Sequence, residues 1–517
     1  MPNDIYDAIV VGGGHNGLVA ACYLAKSKKK VLLLESQDTL GGATTSVKTF
    51  QDYDAYLSRY SYLVSLLPDQ IISDLGINFC TLPRPVASCT PYQRDGQHGG
   101  LLIHREWDAT TAESFYQLTG STRDSHAWQT FYNAAAEFAK RLAPTMLQPL
   151  RTASALKANI GLQTMWQHLI EEPIDEFICN QFFDDLIRGV VLTDALIGTF
   201  VSAGDLQANR CFLYHIIGNG TGEWKVPRGG MGVLIHELHR IARNSGVDIQ
   251  LQSRVDQLES GSNGVAVKTV LGKRYTARDL LFAAAPQHLA RLRNLMEPAS
   301  LSGAQIKINM LLTRLPQLKA GIDPNRAFAG TFHVNESYSQ LEAAYRDARH
   351  AQIPHPLPLE VYCHTLTDST ILSDELIQKG FHTLTLFGLH TPIELFEKDP
   401  EKTKARVTQR ALTSLNDYLL EPIESVLAPC SDGSLAIEVK TPIDLETDVA
   451  LPQGNIFHRD LDFPFLEDDS LSSAQELWGA ETDDPHIFLA GSGARRGGGV
   501  SGIAGHNAAM ALLSKDS

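Results

Sequence analysis

Cysteine is scarce in this chain: seven residues in 517, at positions 22, 80, 89, 179, 211, 363 and 430, odd in number, scattered and without a CxxC pair. That excludes a disulfide scaffold, a paired-cysteine redox centre and a cysteine-rich zinc site, and it suits a reducing compartment; no metal site is expected. Positive charge is also short, with Lys+Arg 44 against Asp+Glu 59 and a formal net charge of -15. A nucleic-acid binder would need a basic surface to collect phosphates, so no nucleic-acid partner is expected and small molecules are. No run of about 18 apolar residues appears, and only "MPNDIY" precedes the first apolar strand, so a cytoplasmic protein without signal peptide or membrane span is expected. Peripheral membrane contact and oligomer formation stay open. Internal repeats and low-complexity tracts are absent. The length fits two or three interlocked domains, enough to enclose a sizeable cavity.

What the chain does have is glycine in particular places. "VVGGGHNGLVAACYLA" starts at Val10. Asp7 to Val11 is a short apolar run of the kind that forms a buried parallel strand, and "LVAACYLAKS" is rich in helix formers. Between them Gly12 allows a tight turn, Gly14 admits a pyrophosphate to the backbone N–H groups, and Gly17 lets the helix pack close to the strand. His15 and Asn16 open the helix beside the anion. A second apolar run, Val31 to Leu34, ends in Glu35 and Ser36, near the roughly 20-residue spacing of an acid that binds ribose hydroxyls. Lys28, Lys29 and Lys30 fall at the expected helix C-terminus, where cations offset the helix dipole.

Two further glycine clusters extend the site. Gly41 and Gly42, followed by Ala43 and Thr44, permit a second close backbone approach to an extended ligand, which an NAD site does not normally need. Near the end of the chain, "HIFLAGSGARRGGGVSGIAGHNAAMALL" reads as a strand (Ile487 to Ala490), a glycine-rich turn and a helix from about Gly502. A helix N-terminus there suits a flavin, whose reduction places negative charge on one edge of the ring. A third cluster, "IIGNGTGEW" at 216–224, precedes loop-like residues rather than a helix and reads as a structural turn. Without an NAD fingerprint, the expected electron acceptor is oxygen, a quinone or a carrier protein.

These motifs, together with "LSRYSYLVSLLPDQI", "PRGGMGVLIHEL" and "TPIDLETDVALPQGNIFHRDL", resemble the phytoene-desaturase-like flavoproteins. They are most similar to the branch with carotene ketolases and pyridine nucleotide-disulfide oxidoreductase domain-containing proteins. The resemblance implies an α/β fold: a Rossmann-like FAD-binding domain of glutathione-reductase/amine-oxidase type, with an interleaved α+β substrate domain and a helical insertion. The expected division is 1–75, 216–300 and 436–517 for the FAD-binding domain, with 76–215 as a substrate and helical-lid part and 301–435 as the second substrate part. FAD is the implied cofactor. Its expected contacts are Gly12, Gly14, His15, Asn16, Gly17, Glu35, Ser36, Gly41, Gly42, Ala43, Thr44, Val255 (beside the adenine edge), Gly491, Ser492, Gly499, Val500 and Gly502. The implied activity is removal of hydride from an apolar or polyene-type small molecule, by desaturation or oxidation. An amine oxidase-like flavoenzyme and a flavin-containing binding or assembly protein are the alternatives.

A flavin supplies the hydride acceptor, so a dedicated acid or base is optional. Arg59, Tyr60, His458, Arg495 and His506 lie near the motifs. His458 and Arg59 are the catalytic candidates, His458 because an imidazole exchanges a proton near neutral pH. Lys307, in the alternating stretch "IKINMLL", faces either the flavin or solvent. Pro68 is expected to begin a core helix with Ile71, Ile72 and Leu75 buried.

Overall fold

The computed structural model describes residues 5–299, 301–467 and 473–515. Two sheets organise it. In the first, strand Ile5–Val11 lies parallel to Val31–Leu34 on one side and to Arg274–Phe282 on the other. Asp248–Gln250 extends the parallel set beyond Val31–Leu34, and Ile487–Leu489 extends it beyond Phe282. The strands Val255–Gly261 and Gly264–Thr269 form an antiparallel meander leading into Arg274–Phe282. Both faces of the parallel strands are covered, which is why they read as continuous apolar runs. Ala8, Val10, Leu33, Leu281 and Phe488 pack under the helices His15–Lys26, Gly232–Asn244 and Ile503–Lys515. Ile9, Leu32, Leu34, Leu280 and Phe282 pack against meander residues Val265 and Val267.

The second sheet runs in the order Ile437–Lys440, Ile306–Leu312, His382–Gly388, Leu359–Tyr362, Thr331–Val334, Val86–Arg94, Gln97–His104. One face is apolar: Ile308, Met310, Leu386, Val361 and Phe332 pack toward Val407, Ala411 and Leu415 of the helix Pro400–Asn416. The opposite face carries Lys307, Asn309, Thr385, Glu360, His333 and Thr90, all at most 4% exposed. It too is covered. Strand Ile306–Leu312 is buried at every position, so Lys307 is interior and the solvent-facing option for it is closed.

The segment 109–217 is mainly helical and holds its own core of Phe115, Phe131, Phe138, Phe182 and Phe212. Helix Asp69–Leu75 begins directly after Pro68, with Ile71 and Leu75 buried and Ile72 half-buried. Among the described residues, no helix is long and apolar enough to cross a membrane.

The first and last helices approach closely because glycines line the contact. A Cβ on Gly505 would lie 1.9 Å from the Asn16 carbonyl oxygen, and one on Gly17 2.0 Å from that of Gly12. Neither clash can be relieved by a side-chain rotation. Gly505→Val is therefore expected to destabilise the protein by about 3 kcal/mol or more in thermal or denaturant unfolding. Gly261→Ala, in a position where an added Cβ meets nothing within 4 Å, is expected to stay within about 0.5 kcal/mol of the parent.

Candidate functional site

At the C-terminal edge of the parallel sheet the glycine turns converge on one slot. Gly12 adopts φ +104, and Gly41 φ +122. The Gly41 N–H donates to the Gly13 carbonyl at 2.9 Å, which brings the two glycine loops side by side. Glu35, buried at the strand end, accepts the Gly13 N–H at 2.7 Å and the Gln37 N–H at 2.8 Å, and Ser36 Oγ also donates to it. Its carboxylate is thereby fixed beside the turn. Thr44 Oγ1 lies 3.0 Å from His15 Nδ1, and the Ala43 carbonyl accepts both the backbone N–H and the hydroxyl of Ser61. From the far end of the chain, Ser492 Oγ accepts from Asn16 Nδ2 at 3.5 Å, and Gly499 and Gly502 turn at φ +72 and +71 into the last helix. Gly491 sits against the backbone of Ala283. Val255 opens the meander, half-buried, farther along the same sheet.

The slot fits an extended dinucleotide. Gly14 has ordinary extended geometry (φ -70, ψ 174), and a Cβ there would meet no protein atom nearer than 4.0 Å. Neither backbone strain nor packing calls for glycine at that position, whereas close approach of a phosphate does. His15 Nε2, Asn16 Oδ1 and His458 Nδ1 are buried without hydrogen-bond partners. Buried polar atoms are normally paired, so three orphans around one slot mark a place for a polar ligand.

The catalytic candidates from the sequence divide. Arg59 forms an ion pair with Glu438 at 2.7 Å, and Tyr60 donates to Asp448. Arg495 pairs with Glu481, and His506 bonds Asn507 and stacks edge-on against Tyr23. These four are occupied in holding the fold. His458 is half-buried in a loop at φ +67, with its Nδ1 enclosed, and burial, followed by the nearby His288 and His15, pushes its pKa down to about 3. Desolvation thus favours the neutral imidazole near pH 7. Lys307 Nζ donates to the carbonyls of Ser58 and Tyr60, 2.7 and 2.9 Å away.

Beyond Tyr60 the chain enters a cavity of about 290 Å³, which sequence reasoning missed. Its floor is the polar face of the second sheet, with His333, Glu360 and Tyr362. Its roof is the helical segment, with Trp128, Tyr132, Asp194 and His215. Tyr62 and Leu63 form the wall toward the glycine slot, and Trp224 lines it as well. Arg84 lies among these groups, donating to the Trp224 carbonyl and Thr331 Oγ1, both at 3.2 Å. Glu336 contacts His333 at 2.6 Å.

The carboxylates of Asp194 and Glu360 thus share a desolvated place with two guanidiniums, Arg84 and the Glu223-paired Arg105, and Glu336 adjoins Glu360 beside His333. Burial, then Glu360, raises Asp194 to about 7; burial, then Glu336, raises Glu360 to about 7; burial holds Glu336 well above the usual range. The same desolvation lowers His333, and pushes His215 to about 3. Because the folded-state pKa of Asp194 exceeds its unfolded value, the unfolded chain releases this proton first, and stability falls as pH rises from about 4 through about 7. Asp194→Asn removes that loss. The variant's advantage over wild type in unfolding free energy should accordingly grow by on the order of 2 kcal/mol between pH 5 and pH 8. The check is paired thermal melts across that range.

Comparison with known proteins agrees with this architecture. Residues 10–69 match the family model described as "NAD(P)-binding Rossmann-like domain". The chain is 44% identical to "Uncharacterized protein Rv0897c" of Mycobacterium tuberculosis (strain ATCC 25618 / H37Rv), over 98% of this chain and 97% of the relative. It is 29% identical to the Mus musculus "Pyridine nucleotide-disulfide oxidoreductase domain-containing protein 2", over 98% of this chain and 93% of that one. Among solved structures, wild-type putrescine oxidase bound to putrescine superposes with a TM-score of 0.55 at 18% identity, covering 100% of this chain and 99% of the other, a likeness of fold. The chain belongs to the same family as the mycobacterial protein, and its residues 10–69 match a Rossmann-like NAD(P)-binding domain.

Proposed function

We propose that this protein is an FAD-dependent oxidoreductase that oxidises a small amine held in the cavity beside Tyr62. The observation that carries the reading is the surplus of buried carboxylate in a wall otherwise rich in aromatic side chains. Isolated buried carboxylates are costly and shed the cost by taking up a proton or a cation. An ammonium group supplies the missing charge, and the faces of Tyr62, Tyr132, Trp224 and Tyr362 complement it. A volume of about 290 Å³ lies at the small end of ligand pockets, roughly 300–1,000 Å³. The phytoene-desaturase-like reading, with an apolar or polyene substrate, draws less support from this lining, because a long hydrocarbon offers nothing polar to Asp194, Glu360 and Arg84. The substrate, the electron acceptor (oxygen, a quinone or a carrier protein) and any peripheral membrane or oligomer contact belong to this proposal.

FAD, when bound, supplies the ring that accepts hydride. The residues that would hold it are the Gly12-Gly14-Gly17 turn with the N-terminus of the first helix at the pyrophosphate, and Glu35 with Ser36 at the ribose. Val255 would border the adenine, while Gly41 to Thr44 and Gly491 to Gly502 would border the flavin end. Lys307, tied to the carbonyls of Ser58 and Tyr60, fixes the segment that leads to Tyr62. The aromatic wall limits water around the substrate, so the carboxylates act in a low dielectric where they orient a cation strongly.

Two measurements test these statements separately. Purified protein should be yellow and release FAD on denaturation, and Gly14→Val should fold normally yet bind FAD at least about tenfold more weakly, since only the ligand approaches that Cα. A Gly14→Val protein with full FAD occupancy and unchanged affinity would sink the cofactor assignment. For the substrate, anaerobic stopped-flow mixing with amines, carotenoids and lipids should bleach the flavin with amines, and peroxide should accumulate in air where oxygen is the acceptor. Bleaching by carotenoids or lipids alone would transfer the assignment to polyene chemistry. A flavin bleached by none of them would favour the binding-protein alternative.

A further inference from the structure

The polar face of the second sheet does more than present negative charge, because its groups form a connected string. Tyr62 and Tyr362 pack against each other with ring centroids 4.6 Å apart. The Tyr362 hydroxyl donates to Glu360 Oε2, and Thr193 Oγ1 donates to Glu360 Oε1 at 3.2 Å. Glu360, Glu336 and His333 place one ligating atom each within 4.8 Å of one another, and His333 Nδ1 shares a proton with Glu336 Oε2 at 2.6 Å. All three are buried, with His333 the most exposed at 4%. At the other end, Tyr62 follows Ser61, which is bonded to Ala43 in the flavin-side glycine loop. The string therefore runs from the slot that fits the flavin into a closed group of acids. Glu360 lies on it and in the cavity wall at once.

We propose that Glu360 is the proton acceptor for substrate oxidation, with Tyr362 and Tyr62 positioning it and Glu336–His333 sharing the charge it takes up. This rests on the amine reading above. An N–H proton of the substrate ammonium passes to the Glu360 carboxylate, leaving a neutral amine. The adjacent C–H bond then breaks, its electron pair leaving with hydrogen as hydride to the flavin of FAD, while the nitrogen lone pair forms the C=N bond of an iminium. The substrate loses two electrons, the flavin gains them, and the proton is held on Glu360.

The groups that face Glu360 set its proton affinity. Thr193 and Asp194 come from the overlying helix, His333 and Glu336 from the neighbouring strand and its loop, Tyr362 from its own strand, and Arg84 and Tyr62 from the segments across the cavity. Desolvation and the neighbouring Glu336 raise it to about 7, against relief from His333, Tyr362 and Thr193. The acceptor must be ionised, so the rate of flavin reduction at saturating amine should rise with pH through about 7.

The experiment compares wild type, Glu360→Gln and Tyr362→Phe, each loaded with FAD. Glu360→Gln should reduce its flavin on the order of 100-fold more slowly at pH 7. Its rising limb should move up to the pKa of the substrate's own ammonium, where the rate recovers. Tyr362→Phe, which keeps the ring and removes the hydroxyl, should slow reduction less and shift the limb. Infrared difference spectra taken across pH 5 to 9 without substrate should show neutral carboxylic acids titrating in wild type, with one component missing in Glu360→Gln while that of Asp194 remains. Wild-type rate and an unmoved limb in Glu360→Gln overturn the acceptor role alone, and so does an infrared signal that the substitution leaves unchanged. A wild-type flavin that no amine reduces overturns the amine reading, and the acceptor role with it. If Glu360→Gln does not fold, Tyr362→Phe with an unshifted limb overturns the proposal.

Discussion

The constraint on which this structure turns is the desolvation of one face of a β-sheet. Lys307, Asn309, Thr385, Glu360 and His333 stand on that face with exposures of 4% or less. A sheet in a soluble protein commonly leaves one face to water, and polar residues there cost nothing. Here the helical segment and the loops from the nucleotide-binding sheet close over it, so every polar atom must find a partner inside the protein. Many do: Asn309 reaches Arg59 and Glu438, Thr385 reaches Asn309, and Lys307 reaches two backbone carbonyls. The acids at the centre, Asp194, Glu336 and Glu360, have Arg84 as their nearby guanidinium, since Arg105 in the same wall is paired with Glu223. A fold selected for stability alone would fill that space with hydrocarbon, since well-packed apolar groups match or exceed buried ion pairs in stability.

The nucleotide-binding side solves a different problem, that of bringing the two ends of a 517-residue chain to a single slot. Its answer is backbone proximity. Gly505 removes the side chain that would hold the first and last helices apart, Gly17 lets the first helix close on the Gly12 turn, and both helices then present their N-termini near one ligand. The aligned peptide dipoles add partial positive charge where a dinucleotide is most negative. The same closeness sets Ser492 against Asn16 and places the Gly499 turn against Leu66, at the edge of the segment leading to Tyr62 and Leu63. Cofactor slot and cavity are joined by that short stretch of chain. An ordering of the slot by its ligand is felt directly at the cavity wall.

Arg496 shows how the helical segment is fastened to this arrangement. It is fully buried at φ +67, and its guanidinium donates to the carbonyls of Thr145, Gln148 and Trp478. Those carbonyls belong to the turn that follows the helix Arg123–Leu142, within the helical segment, and to the short helix before the last strand. Desolvation lowers the pKa of this arginine to about 10, still far above neutrality, so the charge persists and is stabilised by carbonyl dipoles. A lysine could not reach three such acceptors with a planar fork. In the sequence "GSGARRGGG" the two arginines look alike, yet Arg495 is a half-buried partner of Glu481 and Arg496 an interior clamp.

The sequence by itself determined the nucleotide half of this protein. Strand, glycine turn, helix and terminal acid occupy adjacent positions, and the chemistry of phosphate approach constrains each of them locally, so Gly12 to Glu35 could be read without tertiary information. Helix period and apolar spacing are local properties as well, and they underlie the helical part expected within residues 76–215. Only the tertiary structure decided the other half of the site. His333, Glu360, Tyr362 and Lys307 sit at alternate positions in strands whose other side chains are apolar, and alternation is equally the pattern of a face turned to water. Nothing within those strands distinguishes a solvent from a cavity, since the difference lies in Asp194 and Tyr132, more than a hundred residues earlier, closing over them. The same limit applies to His458: its type suggests a proton carrier near neutral pH, whereas the lowered pKa that favours its neutral form comes from the folded surroundings rather than from the residue.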